Sequence, residues 1–160
     1  AQLIFPNQAN GSMVKDGEGK VVGSELIGQT FTNPAFFHGR VSSIENNGAG
    51  SGSMNYAPSN PELVKRIQES MAAWETANPD VPLEKLPIDL VTNSGSGLDP
   101  DISPASATAQ IPRISNLTGL DQAELQKLVN NHTQERELGV FGDPRVNVLL
   151  LNLALGEMIK

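Results

Sequence analysis

Cysteine is absent from this 160-residue chain. Its absence excludes disulfide bonds, thiolate metal sites and cysteine catalysis, although it does not fix a cellular compartment. Basic residues are also scarce, with 11 Lys and Arg against 18 Asp and Glu, which gives a net charge of −7. Nucleic acids and anionic membrane surfaces attract clustered Lys and Arg, and the chain has no basic patch. We therefore expect neither as a partner.

Long apolar runs are missing as well. A membrane-spanning helix needs about 20 consecutive apolar residues. The longest apolar-rich segment, 146–155, is interrupted by Asn147 and Asn152. We therefore expect no membrane span within residues 1–160 and interpret this segment as part of the core.

The chain has the length of one domain. Strands and helices are mixed without a regular β-α-β rhythm, which favours an α+β fold with a small, mostly antiparallel sheet, several packed helices and long irregular loops. The pattern predicts a hairpin of 12–14 with 21–22 that runs on towards residue 27, a helix capped by Asn60 and ended at Asn78-Pro79, and a strand over 88–92. Farther along it predicts a helix from Ser103 that Pro112 breaks or kinks, and a helix from Asp121 that continues to Gly139. The last element is predicted to be a helix, and a strand at 146–148 leading into that helix also fits the pattern.

Residues 32–60 are rich in Asn, Gly, Ser and Pro and are predicted to form loops. Within them, 46–53 is typical of a mobile surface loop. Phe36 and Phe37 are the exception, because two adjacent aromatic rings need a core or a partner.

The most informative segment is the loop 92–104, which combines glycines, hydroxyl side chains and two carboxylates. Its candidate functional residues are Ser94, Gly95, Ser96, Gly97, Asp99 and Asp101. A Ser-Gly loop between a strand and a helix can bind phosphate through backbone amides. However, the Walker pattern also needs a Lys, and Leu98-Asp99 stands in its place.

The same loop resembles a calcium site only in part. The 99–103 spacing matches the first three ligands of an EF-hand, but Pro104 and Gln110 replace the required Gly and Glu. We therefore predict no metal site. Taken alone, the loop is better explained by Asx-type turns before the Ser103 helix cap.

Three arginines, Arg40, Arg113 and Arg145, each lie beside a glycine or a proline. Arginine stays charged when partly buried and binds carboxylates or carbonyls bidentately. We interpret all three as structural residues that anchor loops. The predicted acidic partners are Asp99, Asp101 and Asp143.

The chain has two histidines, His38 and His132, and neither indicates a particular chemistry. Neither has another His or a Cys nearby in sequence to complete a zinc site. The Gly-x-Ser-x-Gly elbow of many hydrolases is absent, although a triad assembled in space remains open. We interpret His132 as a group that caps carbonyls at a helix end.

Taken in order, these motifs are similar to one family. The matching segments are 5–12 (FPNQANGS), 23–29 (GSELIGQ) with Phe31, 37–40 (FHGR), 55–61 (NYAPSNP), 92–106, 111–113 (IPR), 132–133 (HT), 142–149 (GDPRVNVL) and 151–155 (LNLAL). The set resembles the C-subunit (KdpC) family of the Kdp-type potassium-transporting ATPases. The resemblance covers nearly the whole chain.

The resemblance implies an accessory subunit of a complex that hydrolyses ATP to import potassium, and not the ATPase itself. Implied partners are a channel-like potassium-binding subunit, a P-type ATPase subunit and a small membrane peptide. ATP and potassium then act through the complex, and the family is described as a catalytic chaperone that raises the ATP affinity of the ATPase subunit. The implied location is the cell membrane, with residues 1–160 as one extracytoplasmic domain and a single membrane helix upstream of residue 1.

An extracytoplasmic domain cannot meet cytoplasmic ATP, so the 92–104 loop suits a partner or passing cations better than nucleotide. Negative charge near a channel entrance raises the local potassium concentration. The alternative is a stand-alone extracytoplasmic hydrolase or ligand-binding protein that uses the Ser94–Asp101 loop.

Overall fold

The computed structural model describes residues 2–159. The chain forms, in order, α1 (Pro6–Ala9), β1 (Met13–Lys15), β2 (Val21–Ser24), α2 (Pro61–Ala77), β3 (Asp101–Ile102), α3 (Pro104–Thr118), α4 (Gln122–His132), β4 (Thr133–Gln134), β5 (Arg145–Asn147) and α5 (Val148–Met158). Two short 3-10 helices, Leu83–Lys85 and Ile88–Leu90, lie between α2 and β3. Helices and small antiparallel sheets confirm the predicted α+β fold.

The strands form two sheets, and every strand pair within them is antiparallel. β1 pairs with β2 in the predicted hairpin, which ends at Ser24 instead of continuing to residue 27. In the second sheet β5 lies between β3 and β4, with Ile102 and Thr133 both opposite Val146. β5 runs directly into α5, which is one of the two arrangements that the sequence leaves open.

The core lies where α3, α4 and α5 pack around the three-stranded sheet. Its buried members are Phe37, Ile102, Ala107, Ile111, Ile114, Leu125, Val129, Val146, Val148, Leu151 and Leu155. Apolar side chains recur at helical spacing on α4 and α5, so each helix presents one stripe to this cluster. Phe37 is the one member from the long loop between β2 and α2 (residues 25–60), and it is completely buried.

The predicted helix starts are confirmed by side-chain caps. The side chains of Asn60, Ser103 and Asp121 accept hydrogen bonds from the second or third backbone amide after each cap. Asn147 caps α5 in the same way, accepting from the amide of Leu150. Each cap satisfies one of the amides that a helix start leaves unpaired.

Of the two effects predicted for Pro112, a break or a kink in its helix, the break is wrong. α3 continues through Pro112 to Thr118. Proline in a helix interior costs about 3 kcal/mol because one hydrogen bond is lost. On either side of it Ile111, Arg113 and Ile114 are buried, and this packing outweighs the local penalty.

Two other element predictions are wrong. Residues 88–92 do not form a strand, because Pro87 precedes a 3-10 turn at Ile88–Leu90 and the Ile88 side chain is 75% exposed. α4 ends at His132 instead of continuing to Gly139, because the next residues, Thr133–Gln134, pair with β5. Strand pairing over this distance leaves no local signal in the sequence.

The loop between β2 and α2 is anchored to the helices by two side-chain amides. Asn152 of α5 accepts from the Phe37 amide at 2.8 Å and donates to the Phe37 carbonyl at 2.9 Å. Gln110 of α3 does the same for His38, at 2.8 and 3.0 Å. The side chains thus replace the neighbouring strand that this buried backbone lacks.

Across residues 2–159, no helix combines the length and the apolar character needed to cross a membrane.

Replacing Asn152 with Leu tests the backbone anchor. The substitution keeps similar volume but leaves the buried amide and carbonyl of Phe37 unpaired, so we expect unfolding free energy to fall by about 2 to 4 kcal/mol. Urea denaturation measures the change. Asn131→Leu, at an exposed position of α4, is the control and should change stability by less than about 0.5 kcal/mol. Equal stability of both variants would contradict the anchoring role.

Candidate functional site

The Ser94–Asp101 loop is held on its outer side by the long loop. The amide of Ser94 donates to the Val41 carbonyl at 2.9 Å, next to an isolated parallel bridge between Val41 and Asn93. The Ser42 hydroxyl donates to the Gly97 carbonyl at 2.6 Å. Further on, the amides of Gly52 and Gly28 donate to the carbonyls of Ser96 and Leu98, each at 2.8 Å. The loop is therefore a fixed part of the fold.

Inside the loop, backbone amides bind side-chain oxygens of the loop itself. Ser94, only 2% exposed, accepts from the amides of Gly97 at 3.0 Å and Asp99 at 3.3 Å. The Ser96 hydroxyl accepts from the Leu98 amide at 3.1 Å, and the Asp99 carboxylate from the Asp101 amide at 3.1 Å. A phosphate cradle needs amides that point outwards to the anion. Here four of them are already used, so the geometry does not favour phosphate binding.

The two glycines of the loop have different environments. Gly97 has a positive φ of 72°, and a Cβ added to it would lie 2.6 Å from Ile44 Cγ1 and 2.8 Å from the Gly52 carbonyl oxygen. Gly95 is exposed, and a Cβ there would meet nothing within 4 Å. Gly97 is thus required by the turn and by close packing, whereas Gly95 and its exposed neighbour Ser96 form the crest of the loop.

Asp99 is paired with Arg40. Arg40 Nη1 lies 2.9 Å from Asp99 Oδ2, and Nη2 donates to the Asn93 carbonyl at 3.1 Å. Arg40 Nε is buried without a protein partner. The cavity beside this pair measures about 10 Å³, which is room for about one water molecule. The pair therefore joins the long loop to the Ser94–Asp101 loop, called the acidic loop below, and the cavity lined by both partners is too small for a small-molecule ligand.

Asp101 is paired with Arg145, with Arg145 Nε 3.3 Å from Asp101 Oδ2. Arg145 also reaches Glu137, at 3.8 Å. Burial raises the pKa of Asp101 above its usual value, and the charge of Asp99 raises it further, while Arg145 and a hydrogen bond with Asn147 oppose the rise. The two carboxylates thus lie near each other but each has its own arginine, so neither is free to hold a cation alone.

Arg113 has no acidic partner of the predicted kind. Its guanidinium donates to the carbonyls of Pro34 and Phe36, to Asn78 Oδ1 at 3.1 Å and to Gln110 Oε1 at 2.8 Å. Burial lowers its pKa to about 10. Carbonyl and amide oxygens surround this arginine because it sits inside the helix–loop junction.

Asp143 lies elsewhere, 3.1 Å from Arg136. Arg40 and Arg145 thus pair with two of the predicted acidic residues, Asp99 and Asp101. The prediction of an acidic partner for Arg113 is wrong.

Both histidines contact backbone carbonyls. His38 Nε2 lies 3.3 Å from the Asn33 carbonyl oxygen, and His132 Nδ1 lies 2.9 Å from that of Leu128. Burial lowers the pKa of His38, and the positive charge of Arg113 lowers it further, against the hydrogen bond to Asn33. A neutral His38 suits its position beside Arg113. The contact of His132 is the helix-end cap that the sequence indicates.

No three His, Asp or Glu side chains lie together as a possible metal site within the part of the chain that the structure describes.

The sequence does not point to Gln110 and Asn152 as anchoring residues. The only signal for Asn152 was a polar amide inside the apolar segment 146–155. Gln110 carries no such signal, because its role depends on where His38 lies.

A family model described as "KdpC: K+-transporting ATPase, c chain" matches residues 1–157. The chain belongs to the KdpC family. A relative from Bacillus cereus (strain B4264), named "Potassium-transporting ATPase KdpC subunit", is 54% identical over 160 residues, which is all of this chain and 83% of the relative. A relative of the same name from Bacillus anthracis is 53% identical over the same shares. The family resemblance drawn from the motifs is confirmed.

The two glycines of the acidic loop test whether the loop is fixed by the fold: Gly97 is tightly packed, whereas Gly95 is exposed. Gly97→Ala should lower unfolding free energy by about 1 to 3 kcal/mol, because its Cβ meets backbone and Ile44 at a positive φ. Gly95→Ala is the matched control, and it should leave stability unchanged or slightly raised. Thermal and urea unfolding of both variants measure the difference. A stable Gly97→Ala protein would contradict the fixed turn.

The raised pKa of Asp101 predicts a pH dependence. The folded state holds this proton more tightly than the unfolded state, so the contribution of Asp101 to stability is greatest at low pH. It falls as pH rises from the ordinary value of 3.8 through the raised pKa. Asp101→Asn removes this loss, so the stability of the variant relative to the parent should increase across that interval. Urea titrations at several pH values measure it, with exposed Asp143→Asn as the control. A difference that stays constant with pH would contradict the assignment.

Proposed function

We propose that this chain is a non-catalytic accessory subunit of an ATP-driven potassium import complex. The observation that carries the proposal is the family match over residues 1–157, together with relatives named as KdpC subunits of potassium-transporting ATPases. The proposed partners are a channel-like potassium-binding subunit, a P-type ATPase subunit and a small membrane peptide. ATP and potassium act through these partners.

The geometry of the acidic loop supports an indirect role towards ATP. Four of its amides bind oxygens within the loop, and the cavity beside Asp99 measures about 10 Å³. A nucleotide needs far more volume and outward-pointing donors. We therefore propose that a catalytic-chaperone effect, which would raise the ATP affinity of the ATPase subunit, passes through contacts between subunits. A stand-alone hydrolase or ligand-binding role for the loop has no such geometric support.

We further propose that the subunit works at the cell membrane, as a single-pass protein with residues 1–160 forming one extracytoplasmic domain. The net charge of −7 supports a position where cations are attracted. The paired carboxylates support the loop as a surface for a partner more than as a cation site, because Arg40 and Arg145 already neutralise them. The exposed crest at Gly95 and Ser96 is the part that would touch the partner.

The test uses the full-length subunit produced together with its proposed partners. We expect the parent to co-purify with the ATPase and potassium-binding subunits and to restore growth of a subunit-deleted strain at limiting potassium. Gly95→Arg places a bulky side chain on the crest, where an added Cβ meets nothing within 4 Å. It should lower co-purification at least about tenfold if the crest lies at the interface.

Gly17→Arg is the matched control, because an added Cβ there also meets nothing within 4 Å. Failure of the parent to co-purify or to restore growth would contradict the accessory-subunit proposal. Normal assembly of Gly95→Arg would leave that proposal standing and would contradict the crest as its contact.

A further inference from the structure

Residues 136–143 form a short hairpin that projects apolar side chains into solvent. The amide of Glu137 donates to the Phe141 carbonyl and the amide of Phe141 to the Glu137 carbonyl, both at 2.9 Å. At the tip, Leu138 is 90% exposed, Val140 71% and Phe141 64%. Three large apolar side chains within four residues form a concentrated exposed patch, which is unlike the single exposed apolar residues of an ordinary surface.

The tip has a defined and strained shape. Leu138 has a positive φ of 53°, a conformation that costs a side-chain-bearing residue about 1 kcal/mol or more. The following Gly139 also has a positive φ, and its amide donates to the Arg136 carbonyl at 3.0 Å. The strained conformation leaves the Leu138 side chain in solvent, so within the isolated domain no packing of this side chain offsets the strain. Such features are typical of surfaces shaped for recognition.

Ion pairs fix the base of the hairpin. Arg136 lies 3.1 Å from Asp143 across it. Arg145, at 3.8 Å from Glu137 and 3.3 Å from Asp101, joins the hairpin to the acidic loop. The base of the hairpin therefore lies beside β5 and the Ser94–Asp101 loop.

We propose that the tip of the 136–143 hairpin, formed by Leu138, Val140 and Phe141, docks into an apolar pocket of a partner protein whose rim is neutral or basic. The charges favour a protein over an anionic membrane. Residues 135–145 carry three carboxylates and two arginines, and the whole chain has a net charge of −7, so anionic headgroups would be repelled. A rigid apolar tip inside an acidic setting fits a desolvated pocket with complementary charge.

This inference rests on the proposed function for the identity of the complex, and it names the hairpin tip as a contact between this subunit and a partner subunit.

The test is the double variant Leu138→Asn with Phe141→Thr in the full-length subunit, co-produced with the proposed partner subunits. Asn tolerates a positive φ and Thr suits a strand-like position, so the hairpin geometry is preserved. Ile88→Thr, which removes another exposed apolar side chain from a different surface, is the matched control.

We expect the affinity of the double variant for the partner subunits to fall at least about tenfold, while Ile88→Thr binds like the parent. Circular dichroism and thermal unfolding should match the parent in both. A photo-crosslinking residue at position 138 supplies a readout that does not depend on the double variant folding. Crosslinks from position 138 to a partner subunit, absent from position 88, support the proposal.

Two results would overturn it. If the parent assembles and the double variant assembles equally well, the hairpin is not the contact and the accessory-subunit proposal stands. If position 138 crosslinks to lipid and the double variant keeps its partners, the tip binds membrane instead. Failure of the parent itself to assemble contradicts the proposed function and is seen before any variant is compared.

Discussion

Two side-chain amides determine where the long loop between β2 and α2 lies. A buried backbone without strand or helix neighbours must pair its amides and carbonyls in some other way. Asn152 pairs both groups of Phe37, and Gln110 both groups of His38. Because these two loop residues are adjacent, α5 and α3 hold the same short segment from two directions. Phe37 is thereby fixed in the core without a strand.

The position of the acidic loop depends indirectly on these two side-chain amides. The residues that follow His38 supply its supports, since Arg40 pairs with Asp99 and the Ser42 hydroxyl binds the Gly97 carbonyl. If the Phe37–His38 segment moved, these donors would move with it. The helices therefore position the long loop through two side-chain amides, and the long loop in turn positions the Ser94–Asp101 loop. The loop's fixed shape therefore depends on these long-range contacts as well as on its own turn at Gly97.

Features that depend on neighbouring residues could be predicted from the sequence. The caps at Asn60, Ser103 and Asp121 are encoded within a few positions, and the apolar pattern also indicates α5 as a helix. The amide anchors could not be predicted, because Asn152 and Phe37 are 115 residues apart. The strand expected at 88–92 failed for a related reason. Alternation describes which side chains face inwards only when a neighbouring strand exists, and here Pro87 begins a 3-10 turn instead.

The same reasoning explains why motif chemistry did not identify a ligand in the acidic loop. Its hydroxyls, amides and carboxylates largely satisfy one another or two arginines, so little polar capacity is left for a small molecule. The loop crest and the apolar hairpin tip are both exposed. Arg145 links their bases through Asp101 and Glu137. These exposed elements, carried on a scaffold of fixed shape, are the surfaces that the proposed association with other subunits would use.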